Sequence, residues 1–175
     1  LLRQAEEALR LADFDASLRL SGLLEQRLDQ GLDEATDAQQ PGLRLRLQVH
    51  RVRHHAKAEQ FDTAIALAET LLLQLTESGQ ELARSELLFL LSFSYSQISQ
   101  QEPALRAGVA ALHLALRLEH VLQIGQALER IAMCCMAAED AVHAERFMLE
   151  ALGFFEQPTD AEQMLRATSN TLFMF

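Results

Sequence analysis

The chain has 175 residues, 49% of them hydrophobic, and a formal charge of −10. That is enough apolar content for a packed core, which excludes a disordered chain. The acidic balance argues against a surface that as a whole attracts nucleic acid or anionic membrane. Only 7 Gly and 3 Pro interrupt a sequence rich in Leu, Ala, Glu, Gln and Arg, so helices are expected throughout. There is no alternating run long enough for a strand and no stretch of about 18 uncharged apolar residues. No membrane insertion and no signal peptide are therefore expected.

In chain order, helices are expected at about 2–12, 15–30, 43–59, 61–76, 80–99, 103–118, 121–138, 141–155 and 161–175. In the first pair, Phe14-Asp15-Ala16-Ser17-Leu18 resembles Phe61-Asp62-Thr63-Ala64-Ile65 at an offset of 47. The additional residues fall around Gly31–Gly42, where Gln39-Gln40-Pro41-Gly42 reads as a helix break. From residue 60 onward the offset settles at 40: Ala64, Ala104 and Ala144 coincide, as do Leu72, Leu112 and Leu152, and Leu91 with Ile131 and Thr171. Each repeat reads as helix A, a short turn, then helix B. In the helix at 80–99, Leu88, Leu91 and Tyr95 form the expected core stripe. In the next, Ala104, Leu105, Val109, Leu112 and Leu116 are the apolar positions, and Pro103 suits the first turn. Gln157-Pro158-Thr159-Asp160 is a turn before the last helix, which stops inside an apolar run at Phe175. Starting at Leu1 rather than Met, the chain reads as a piece of a longer protein. A fixed period in this range marks a solenoid, because a single helix pair cannot bury its apolar face alone.

Around the A–B turn the pattern is aromatic-x-x-Ala-x-x-x-small-x-x-Leu/Ala-Leu. It stands as Phe61, Ala64, Ala68, Leu71, Leu72 and again as Gln101, Ala104, Gly108, Ala111, Leu112. This resembles the tetratricopeptide repeat. Leu88, Leu91, Ser92 and Tyr95 fit that family's large, large, small, aromatic signature in helix A. Gln101 and Ala141 depart from the turn aromatic, Cys135 from the helix A aromatic, and the period exceeds the family's usual length of about 34. The lengthened repeats are similar in texture to the regulatory segments that precede GGDEF-type diguanylate cyclase domains in bacterial signalling proteins, although no GGDEF sequence is present. The resemblance implies an all-α, right-handed solenoid of antiparallel helix pairs, about nine helices, over a single domain 1–175. It implies a cytoplasmic, non-catalytic module that binds a protein, peptide or other ligand and regulates an attached output domain. The alternative is a homodimerisation scaffold, with Leu172, Phe173, Met174 and Phe175 pairing with a second chain.

No phosphate loop, G-x-S-x-G or H-E-x-x-H motif is present, and neither an enzyme nor a cofactor is expected. Cys134-Cys135 reads as two buried thiols of a reducing compartment, since neighbours on a helix point apart. His50 and His54 share a helix face at i, i+4, but two ligands fall short of a metal site. The segment Leu43–Ala58 is the main anomaly. Arg44, Arg46, Arg51, Arg53 and Lys57 stand there without an acid, leaving 25 acids against 10 basic residues elsewhere, a charge of −15. It reads as a solvated helix paired with acidic neighbours, as an anion or acidic-peptide site, or as a nucleic-acid patch. The last is a poor fit for one basic helix in an acidic protein. By the family pattern, helix A lines a binding groove. Its positions fall at Phe89, Phe93, Ser96 and Gln97, then at Glu129, Met133 and Met136, then at Ser169 and Phe173. The same phase adds His50, His54 and Lys57. Phe89, Phe93, Met133 and Phe173 read either as ordinary core or as a second apolar stripe that presents a binding surface, whose expected occupant is an acidic-hydrophobic peptide.

Overall fold

The computed structural model of the chain describes residues 1–30, 40–75 and 79–155. Among them are eight α-helices and no strand: α1 (Leu2–Arg10), α2 (Phe14–Asp29), α3 (Gln40–Lys57), α4 (Phe61–Gln74), α5 (Glu81–Gln97), α6 (Gln101–Arg117), α7 (Val121–Ala137) and α8 (Ala141–Phe155). The ninth expected helix, at 161–175, lies outside the described residues. The odd-numbered helices are the A helices and the even-numbered ones the B helices. The starts of α5 and α7, and of α6 and α8, are 40 residues apart. Two compact units result, Leu1–Leu71 and Leu72–Phe175. In the first, α1 packs on α2, α2 on α3, and α1 on α3; in the second, α5 packs on α6, α6 on α7, α7 on α8, and α5 on α7. Across α1–α3 and across α5–α8 the same rule holds: a helix packs on the next, and an A helix also packs on the following A helix. This is the all-α helical-repeat class expected from the period.

The turns follow one geometry. Ala12, Glu59, Ser99, Glu119 and Glu139 all have positive φ. In each case the residue after them returns its N–H to a carbonyl five residues back, as in Gln60→His55 (2.9 Å), Gln100→Tyr95 (2.9 Å) and Asp140→Cys135 (2.9 Å). The left-handed residue itself donates three residues back, as in Glu139→Met136 at 3.0 Å. This is the Schellman helix ending, which satisfies the last carbonyls. The following residue then opens the next helix, and Asp13 and Asp140 cap theirs through side-chain oxygens on the Ala16 and His143 amides. A left-handed side chain costs about 1–2 kcal/mol relative to ordinary helix geometry, which is why Gly is usual there. Here all five positions hold Ala, Ser or Glu.

The B helices share a core stripe. Counting from each helix start, the fourth, eighth, eleventh and fifteenth positions are buried for all four, the fifteenth of α4 (Leu75) falling just past its end. They are Ser17, Ser21, Leu24 and Leu28; Ala64, Ala68, Leu71 and Leu75; Ala104, Gly108, Ala111 and Ala115; and Ala144, Met148, Ala151 and Phe155. The spacing of four, three and four is that of a helix face. The expected apolar set of α6 is corrected here. Leu105, Val109 and Leu116 are exposed, and the buried face is made of Ala104, Ala107, Gly108, Ala111 and Ala115. Small residues on this face let α6 lie close to its neighbours. A Cβ on Gly108 would stand 3.1 Å from Ser92 Oγ and 3.4 Å from Ile131 Cγ1. The core stripe of α5 is likewise shifted by one position: Leu87, Leu90, Leu91 and Ser94 are buried, while Leu88 and Tyr95 are half-buried.

α3 begins at Gln40, with Pro41 and Gly42 inside its first turn. Pro is tolerated there because the first amides of a helix have no intrahelical acceptor, so the expected break does not occur at Pro41.

At the end of α8, Phe155 is buried in a cluster with Ala115, Ile124, Leu128 and Ala151. It fits because α7 has Gly125, where a Cβ would lie 2.4 Å from the Phe155 ring. Gly125→Ala should therefore destabilise the C-terminal unit by about 1–3 kcal/mol in urea unfolding. Gly153→Ala on the same unit meets nothing within 4 Å and should stabilise by about 0.4–1 kcal/mol by restricting the unfolded chain.

Candidate functional site

In the C-terminal unit the A helices α5 and α7 lie side by side. On α5, Phe89, Phe93 and Ser96 are half-buried and Gln97 is exposed. On α7, Glu129 is buried, Met133 is half-buried and Met136 is 50% exposed. The helical spacing of 89, 93, 96 and of 129, 133, 136 places each set along one helix face. What joins the two helices here is Arg130, absent from the expected site. Its guanidinium lies 5.6 Å from the Phe93 ring centroid, a cation–π contact between α7 and α5. Arg130 also stands 3.5 Å from the Glu129 carboxylate. Its Nε is buried without a hydrogen-bond partner. Burial pushes the Glu129 carboxyl above the usual range, and Arg130 opposes that shift. The face therefore combines aromatic and thioether surface with one partly shielded cation and one buried acid. Phe173 and Ser169 lie outside the described residues.

His50, His54 and Lys57 belong to the N-terminal unit. Lys57 is exposed. His50 is 1% and His54 6% exposed, so neither ring lines an open surface. Ser17 Oγ is 3.1 Å from His50 Nε2, and Phe14 meets His54 edge to face with centroids 5.9 Å apart. The basic stretch of α3 is answered from within this unit. Arg44 binds Asp29 (2.8 Å) and the Leu28 carbonyl (3.0 Å), Arg46 reaches Glu6 (3.5 Å), and Arg51 binds Glu25 (3.1 Å). Such exposed pairs are each worth at most about 1 kcal/mol. They nonetheless commit three of the five cations to acids of α1 and α2. Of the three readings of this segment, pairing with acidic neighbours is the one with contacts to support it.

Cys134 is buried, Cys135 is half-buried, and both are free. Burial raises both thiols above the ordinary thiol range. Among the described residues, no group of three or more His, Cys, Asp and Glu is placed to hold a metal ion. Sequence reasoning missed Arg130 and Ser17. The signal for Arg130 was its place one residue after the groove position Glu129. Ser17 held the alanine position of the A–B contact, which marked it for burial but not for a histidine bond. No protein-family model and no curated protein matches the chain.

Phe93 is half-buried beneath Arg130, so Phe93→Ala should cost about 1–2 kcal/mol in thermal or urea unfolding, less than the roughly 3–5 kcal/mol of a fully buried aromatic. A loss in the upper range would place Phe93 in the core and remove it from the binding face.

Proposed function

We propose that the chain is a non-catalytic interaction module that binds an apolar segment of a partner protein on the α5–α7 face and relays that binding to an attached output domain. The observation that carries the reading is the set of half-buried Phe89, Phe93 and Met133 with half-exposed Met136, laid along two adjacent helices. Aromatic rings and flexible thioethers adapt to apolar side chains, and a partner helix would engage them at three- and four-residue spacing. An acidic end to the partner has less support, because His50 and His54 are enclosed and most of the α3 arginines are paired. The textural resemblance makes a diguanylate cyclase the output domain to test first, in a bacterial, cytoplasmic setting.

Self-association is the second reading. Its support is on α6, where Leu105, Val109 and Leu116 stand exposed on one face at coiled-coil-like spacing. The Leu172–Phe175 run lies outside the described residues.

Selection from a displayed library of helical peptides distinguishes them. The first reading expects peptides with apolar residues at i, i+3/i+4 and i+7, whose affinity falls at least about tenfold, near 1.4 kcal/mol, in Phe93→Ala and Met133→Ala while helicity stays unchanged. Equal binding by the variants would contradict it. A dimer in sedimentation equilibrium that Leu105→Gln with Leu116→Gln dissociates would favour the second.

A further inference from the structure

His50 and His54 stand one turn apart on α3, both more than nine-tenths buried. Each uses one side of its ring. Ser17 Oγ on α2 meets His50 Nε2 at 3.1 Å, and Phe14 on α2 packs edge-on against His54. Nδ1 of both rings is buried without a hydrogen-bond partner. A neutral imidazole suits that setting, since one nitrogen carries a proton and the other only a lone pair. A protonated ring does not. It would present an N–H at Nδ1 with no acceptor and place a charge in the α2–α3 contact.

Most of the surrounding charges act in the same direction, Asp15 being the exception. Arg53, Lys57 and His54 oppose a charge on His50, and His55 opposes one on His54. Asp15 on α2 favours protonation of His54. The other acids of the packed elements are engaged: Glu6 of α1 with Arg46, Glu7 of α1 with Arg10, and Glu25 and Asp29 of α2 with Arg51 and Arg44.

We propose that His50 and His54 form an acid-operated latch, holding α2 against α3 when neutral and parting the two helices when protonated. Desolvation, and after it the neighbouring cations, lower His50 from 6.5 to about 4; desolvation lowers His54 as well. A base whose folded pKa is depressed contributes stability that is whole above its unfolded value of 6.5. That stability is lost as pH falls from there through about 4. For His50 alone the loss amounts to roughly thirtyfold in the folding equilibrium between about pH 7.5 and pH 5. Acid is thus an input to the N-terminal unit that does not depend on the α5–α7 face.

The test is hydrogen exchange on the whole chain at about pH 7.5 and pH 5, expressed as protection factors so that intrinsic exchange cancels. Protection in α2 and α3 should fall by at least about thirtyfold, the share of His50 alone, and that in α5–α8 should change little. His50→Gln with His54→Phe keeps a partner for Ser17 and a ring for Phe14 but titrates neither, so it should abolish the acid loss. No loss in α2 and α3, an equal loss in both units, or an undiminished loss in the double variant would overturn the latch. The histidine C2-proton titration of the unsubstituted chain decides the matter should the double variant not fold. A His50 midpoint near 4 supports the latch, and one near 6.5 overturns it.

Discussion

The close approach of each B helix to its neighbours is the constraint on which the repeat depends. The fourth residue of every B helix is small and buried: Ser17, Ala64, Ala104 and Ala144. A small side chain there lets the helices approach closely, and the residues that follow at four, three and four line the same face. The three-residue turns place the next helix start at a fixed distance from that contact. Glu59, Ser99 and Glu139 adopt the same left-handed conformation 40 residues apart. The period in the sequence is therefore a period in contacts, and the turns are tuned to preserve it even where the residue is not glycine.

Size is traded along the stripe. The fifteenth position holds Leu28, Leu75, Ala115 and Phe155. Phe155 is accommodated because α7 has Gly125 against it. Opposite the alanine and glycine face of α6, α7 buries Ile124, Ala127, Leu128, Ile131 and Ala132. What remains on the A-helix side is a half-buried band from Phe89 to Met136, bound together by Arg130 over Phe93. In the N-terminal unit, polar groups take the corresponding inner places, and Ser17 with His50 and His54 replaces an apolar contact by one that depends on protonation.

Most of the fold was legible. Alanine at 64, 104 and 144 marked the A–B contact, and the expected helix starts at 61, 121 and 141 match the observed ones. The errors have physical reasons. Hydropathy assigned Leu105, Val109 and Leu116 to the α6 core, but burial there is set by the space between close helices, which only Ala and Gly fit. Pro41 was read as a break because residue type alone does not say whether a proline falls in a first turn. The left-handed turns carried no glycine signal, since Ala, Glu and Ser occupy them. For the candidate site, the periodicity placed Phe89, Phe93, Met133 and Met136 on the A-helix faces. It could not reveal that His50 and His54 are enclosed, because burial of α3 depends on what α2 presents to it.

The central claim is that the small residue at the fourth position of helix B sets the repeat. Ala104→Leu and Ala144→Leu, each measured by urea unfolding, test it directly, with Leu105→Ala as a neighbouring exposed control. The account predicts that both leucines cost about 1–3 kcal/mol by overpacking, while the control changes stability by less than about 0.5 kcal/mol. Leucine tolerated at 104 and 144 without loss, or a cost at Leu105 equal to theirs, would contradict it.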